Sequence, residues 1–118
     1  MRRKNIKDRC EKNHFSKCQE VCKTYDAIQT AYAKKIQEHD DINEFSCNIS
    51  FEVNQENELA KYTSDFVCRK SNGETMVREC VFRKNITRPK VARLLDASRQ
   101  YWLKHGVKDW GLVIDAEK

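Results

Sequence analysis

At 118 residues, with 39% hydrophobic and 35% charged side chains, the chain suits one domain with a single modest core and a heavily solvated surface. No apolar run reaches the roughly 18–20 residues that a membrane-crossing helix needs, and no apolar stretch follows the basic start Met1-Arg2-Arg3-Lys4-Asn5. Neither a membrane partner nor a secretory signal is therefore expected, and the cytoplasm is the expected location.

The net charge of +5 is unevenly spread. Arg2, Arg3, Lys4, Lys7 and Arg9 crowd the amino end, and Arg69, Lys70, Arg78, Arg83, Lys84, Arg88, Lys90 and Arg93 crowd the second half. Acidic residues thicken between Glu38 and Glu58. Such asymmetry suits a polyanion such as nucleic acid, although a solvated basic face would produce the same composition. The six cysteines are expected to stay reduced in the cytoplasm, and Cys47, Cys68 and Cys80 fall where strands would bury small thiols.

In chain order, residues 5–23 are helix-compatible, with Phe15, Cys18, Val21, Cys22 and Tyr25 at roughly helical spacing. Asp26 is placed to cap a second helix carrying Ile28, Ala31, Tyr32 and Ile36 on one stripe, ending near His39-Asp40-Asp41. Residues 45–53 alternate apolar and polar, the pattern of a strand with one buried face, and residues 54–58 form a polar turn. Residues 62–69 and 75–83 are the arms of a hairpin. Thr87-Arg88-Pro89 starts a helix whose face carries Val91, Leu94, Leu95, Ser98 and Trp102, and Gly106 stops it. Residues 110–114 give a last short strand, buried around Leu112-Val113-Ile114. The expected fold is α/β: a three-stranded antiparallel meander, a helix and a fourth strand, with one or two helices in front.

The hairpin decides whether two acids meet. If Ser71-Asn72-Gly73 forms a three-residue loop with Gly73 left-handed, Lys70 pairs with Glu74 and Asp65 falls opposite Glu79. Two carboxylates so placed are close enough to share a divalent cation. A two-residue Asn-Gly turn would slip the register by one and part them. Taken alone, the pair reads rather as surface carboxylates on an exposed strand face, balanced by Arg78 or Arg83.

Tyr62-Thr63-Ser64-Asp65-Phe66, Asn72-Gly73, Glu79-Cys80-Val81 and Ala92-Arg93-Leu94-Leu95 through Tyr101-Trp102 stand in an order that resembles a known family. It is the amino-terminal catalytic domain of TnsA-like transposon endonucleases, within the PD-(D/E)xK restriction-endonuclease-like superfamily. The resemblance covers about residues 25–115, with 1–24 as a basic helical extension within the single domain 1–118. It implies a restriction-endonuclease-like core in which Asp65 and Glu79 would hold Mg²⁺ or Mn²⁺ on the scissile phosphate. Two positions depart from the family. The lysine two residues past Glu79 is Val81, and the glutamate of the preceding helix is Gln29. Arg83 or Lys84 would have to replace the lysine, and Arg83, always cationic, would clamp a phosphate without serving as a base.

Cys10, His14, Cys18 and Cys22 recur every four residues, a donor set suited to zinc. On one straight helix the outer members would stand about 18 Å apart, too far for one ion. Small buried thiols are the expected alternative.

The resemblance implies a nucleic-acid-binding protein of a mobile element, catalytically impaired, using Arg69, Lys70, Arg78, Arg88, Lys90 and Arg93 with the basic amino end, on DNA more than RNA. An active Mg²⁺-dependent endonuclease of a transposition system is one alternative, with a transposase subunit as partner. A non-enzymatic inhibitor of a host defence complex, such as a CRISPR effector, is the other.

Overall fold

The computed structural model describes residues 10–55 and 58–115, with side chains for all of these except 53–55 and 58–60. Two short strands, β1 (Glu11–Asn13) and β2 (Cys22–Thr24), precede helix α1 (Ala27–Glu38). Two long strands follow, β3 (Ile42–Gln55) and β4 (Glu58–Lys70), and then β5 (Thr75–Val81). A 3-10 turn (Arg83–Asn85) leads into helix α2 (Pro89–Lys104) and the last strand, β6 (Asp109–Ile114). β1 and β2 form their own antiparallel pair, and the other four strands make one sheet in the order β3-β4-β5-β6. Pairing is antiparallel as far as β5 and parallel between β5 and β6, where α2 supplies the long crossover that parallel strands need. The meander, helix and fourth strand are thus as expected. Residues 56–57 of the expected turn, and the basic amino end with Arg2, Arg3, Lys4, Lys7 and Arg9, lie outside the described residues.

α1 begins where Asp26 accepts the Gln29 N–H at 2.9 Å, and it buries Ile28, Gln29, Ala33 and Ile36. Ala31, expected inside, is exposed. Ile28, Ala33 and Ile36 pack with Ile42, Phe45, Phe66, Cys68, Met76 and Cys80 in the main core. α2 starts at Pro89 after an Arg88 cap that donates no side-chain bond, and it buries Leu95 and Ser98. It meets the far half of the long hairpin, where Tyr101 stacks on Phe51 at 3.8 Å between centroids and Trp102 meets the same ring edge-on. β3 therefore serves two clusters: Phe45 packs near Phe15 and Phe66 beside α1, whereas Phe51 packs beside α2. Between them Asn48 takes a left-handed conformation, φ 59°.

Two expectations fail. In the described part of residues 5–23 there is no helix: a β-hairpin and turn stand there instead. Cys18 bridges to Phe45, whose N–H donates to the Lys17 carbonyl at 2.9 Å, and the Lys17 N–H donates to Gln37 Oε1 at 3.1 Å. A short segment gains little from helix propagation, so pairing with β3 and α1 decides its form. The final strand is not buried either. β6 is the edge of the sheet, and Leu112 and Ile114 are each 37% exposed while Val113 packs against the core.

The hairpin loop has the three-residue form. Lys70 N–H donates to the Glu74 carbonyl at 2.8 Å, Gly73 N–H donates back to Lys70 at 2.9 Å, and Gly73 sits at φ 90°. Asn72 Oδ1 accepts the Glu74 N–H at 2.9 Å. A Cβ at Gly73 would meet open space, so its cost is conformational alone. Gly73→Ala is expected to lower unfolding free energy by about 1–2 kcal/mol in urea titration. An unchanged midpoint would contradict the assigned turn.

Candidate functional site

The β4–β5 ladder runs from Arg69 opposite Thr75 to Phe66 opposite Arg78. The next residues in this register are Asp65 and Glu79, and there the backbone pairing gives way to side chains. The Asp65 N–H donates to Glu79 Oε1 at 2.9 Å, and the Cys80 N–H donates to Asp65 Oδ2 at 2.7 Å. Each carboxylate thus satisfies a buried N–H of the opposite strand, a group that burial does not allow to stay unpaired.

The remaining oxygens are engaged from the helices. Gln29 Nε2 of α1 donates to Asp65 Oδ1 at 2.6 Å, while Gln29 Oε1 accepts the Tyr25 N–H at 2.7 Å and so fixes the amide's orientation. The hydroxyls of Ser64 and of Ser98 on α2 both donate to Glu79 Oε2 at 2.7 Å. Trp102 Nε1 then donates to the Ser64 oxygen at 2.9 Å, and Trp110 Nε1 to the Ser98 oxygen at 3.1 Å. All four carboxylate oxygens accept from neutral donors. Asp65, Glu79, Ser64 and Ser98 have no exposed surface, and Gln29 is 1% exposed.

Burial, and then the Asp65 charge, push the Glu79 carboxyl up to about 7 against the pull of Ser64, Ser98 and the Asp65 N–H. The Tyr62 phenol beside them is also raised, by burial first and then by Glu79 and Asp65. A Glu79 carboxyl raised in this way favours its protonated form near neutrality, which eases its repulsion with Asp65. Val81, two residues past Glu79, is an apolar core residue 6% exposed.

Gln29, Asp65 and Glu79 are thus brought together, but Arg83 and Lys84 are not brought to them. β5 ends at Val81, and both cations sit exposed in the following 3-10 turn, Lys84 over the Phe82 ring at 5.9 Å. The arm expected over residues 75–83 stops at Val81, so Arg83 does not extend the strand that carries Glu79. The basic residues divide as well. Lys70 and Arg78 both engage Asp109, with Arg78 at 2.8 Å. The Lys70 ammonium and then Arg78 hold Asp109 below the usual carboxylate range against its partial burial. Arg69 faces Glu44 at 3.5 Å. Arg88, Lys90 and Arg93 are exposed at the start of α2, next to Arg83 and Lys84 in sequence.

The Cys10, His14, Cys18 and Cys22 set does not share a helix. Cys18 and Cys22 are buried, Cys10 is partly exposed and His14 is exposed. Among the described residues no three or more His, Cys, Asp or Glu side chains stand as a ready-made metal cage. No helix among them is long and apolar enough to cross a membrane. A groove of about 550 Å³ lies away from the carboxylates, between α1 and the hairpin tip, over Tyr32, Ile36, Met76, Arg78 and Asp109.

Sequence reasoning missed Ser64, Trp102 and Trp110 as members of the network. Ser98, a lone hydroxyl on an apolar helix stripe, was the available signal. No protein-family model and no curated protein matches the chain.

Two outcomes follow for Glu79. Glu79→Gln keeps an acceptor for the Asp65 N–H and offers its amide to the two serine oxygens, so stability at pH 7 should stay within about 1 kcal/mol. Glu79→Ala strands three donors and should cost about 3–5 kcal/mol. The folded carboxyl holds its proton where the unfolded one has released it. Unfolding free energy of the wild type should therefore fall by about 3 kcal/mol as pH rises from the ordinary carboxyl range to about 7, and level off above. Denaturant titrations across pH check this: the decline should be absent in Glu79→Gln, and an equal decline there would contradict the assignment.

Proposed function

We propose that the chain is a nucleic-acid-binding protein of a mobile element, with a TnsA-like nuclease fold whose cleavage centre has become a structural one. The observation that carries this reading is that Asp65 and Glu79 are wholly buried, with every oxygen already accepting a hydrogen bond. A Mg²⁺ ion on this pair would have to displace those donors, enter without open solvent access and hold both groups ionised. Val81 supplies no cation in return, whereas cationic stabilisation of a cleavage transition state is commonly worth a factor on the order of 10²–10³.

Binding rests on different residues. Arg83, Lys84, Arg88, Lys90 and Arg93 are exposed around the start of α2, whereas Lys70 and Arg78 hold Asp109 and contribute little charge. The contact surface is therefore assigned to the β5–α2 connection rather than to the hairpin. Duplex DNA is the substrate class that the fold resemblance favours. The retained meeting of Gln29, Asp65 and Glu79 favours a second reading, a Mg²⁺-dependent endonuclease that opens its centre on DNA.

Fluorescence anisotropy on duplex DNA at several salt concentrations tests the first reading. Contact with about five phosphates gives a log–log salt slope near −4, and the double change Arg88→Ala, Lys90→Ala should reduce its magnitude by about 2. A flat slope would remove nucleic acid from the account. Plasmid nicking with Mg²⁺ or Mn²⁺ should be absent in wild type and in Glu79→Gln alike. Nicking by wild type that Glu79→Gln abolishes would establish the second reading instead.

A further inference from the structure

Among the described residues β6 pairs only with β5, so alternate backbone N–H and C=O groups over residues 110–114 point away from the sheet. Proteins usually blunt such an edge with lysine, proline or a bulge. Residues 110–114 carry no charge and no proline, in a chain where 35% of residues are charged. Asp109, at the start of the strand, is already neutralised by Lys70 and Arg78. Both faces beside this edge are uncovered as well. Trp110, Leu112 and Ile114 alternate onto one face, and the Trp110 Nε1 bond to Ser98 at 3.1 Å fixes it as the α2 side. α2 packs on β3 and β4, however, and leaves Leu112 and Ile114 exposed. On the other side a hollow of about 300 Å³ lies between α1 and β6, lined in part by Ala27, Ala31 and Val113. An added strand needs room for side chains on both of its faces, and this edge provides it.

The opposite edge of the sheet differs. The small hairpin occupies β3 there: Cys18 bridges to Phe45, and the Asn48 side-chain amide donates to the Lys23 carbonyl at 2.8 Å. Adding β6 of one copy to β3 of the next would build an open fibre, and the hairpin obstructs that contact. Two β6 edges can still meet, and an assembly of that kind closes on itself. The edge accepts an extended, uncharged strand with apolar side chains on the α2 face. β6 itself is such a strand.

We infer that β6 is a self-association edge, where two copies of this chain pair β6 with β6 antiparallel about a two-fold axis and join their four-stranded sheets into one. An axis perpendicular to the sheet keeps each face on its own side. Trp110, Leu112 and Ile114 of one copy therefore meet the same three residues of the other, while the outward backbone groups bond across the axis. The contact uses neither the carboxylate centre nor the basic β5–α2 connection, so it stands apart from the nucleic-acid reading.

Sedimentation equilibrium of the full chain under reducing conditions, over about 1–300 µM, covers the weak association that a one-strand contact supports. Wild type should pass from monomer to dimer and stop there. The double change Leu112→Lys, Ile114→Lys puts like charges on both sides of the axis and should weaken association at least about 100-fold. Leu103→Lys, at a leucine on α2 that is 49% exposed, should match wild type. Circular dichroism of each variant establishes that it is folded. On dilution of wild type, the backbone amide NMR shifts that move should lie in β6 and its flanks. A wild type that stays monomeric throughout would overturn the inference. So would a dimer that the folded double variant still forms with wild-type affinity, or concentration-dependent shifts confined to other elements.

Discussion

The structure depends on an exchange between two carboxylates and two backbone amides at the point where β4 and β5 stop pairing. Asp65 accepts from Cys80, and Glu79 accepts from Asp65, so the divergence of the strands leaves neither of these two amides unpaired. Both helices are tied to that same point, α1 through Gln29 and α2 through Ser98. The arrangement has an electrostatic cost, since two buried acids face each other at low dielectric. Burial and the Asp65 charge raise the Glu79 carboxyl to about 7, which favours its protonated form and offsets part of that cost.

This polar centre also separates the apolar clusters. On one side α1 packs against Phe45, Phe66 and Cys80; on the other Tyr101 and Trp102 pack against Phe51 at the far end of the long hairpin. The indoles of Trp102 and Trp110 belong to both layers, apolar across the ring and bonded through nitrogen to the serines beside Glu79. Charge is arranged differently at the periphery. Asp109, on the edge strand, gathers Lys70 and Arg78 and locks the hairpin tip to β6, so the basic character of the hairpin is largely internal to the fold.

Much of this was legible in the residues. Ser71-Asn72-Gly73 specified the turn, the turn specified the register, and the register placed Asp65 against Glu79, because each step is local and steric. Asp26 and Pro89 marked the starts of both helices for the same reason. What was not legible depended on long-range contact. Helical spacing from Phe15 to Cys22 meant nothing once Cys18 paired with Phe45, and the apolar run in β6 gave no sign of standing at an open edge. Strict alternation in β3 gave no sign of the left-handed Asn48 or of Phe45 and Phe51 joining different aromatic partners. Arg83 was expected inside the second hairpin arm, but that strand ends at Val81. Sequence pointed to both acids; their closure by Ser64, Ser98 and Gln29 emerged only with the fold.

Amide hydrogen exchange at Asp65 and Cys80 tests the closed centre most directly. If the two carboxylates form a sealed, permanently bonded core, both amides should exchange only through global unfolding, at the slowest rates in the chain. Rapid exchange at both positions in a protein otherwise well protected would show a centre that opens to water, and would contradict the account.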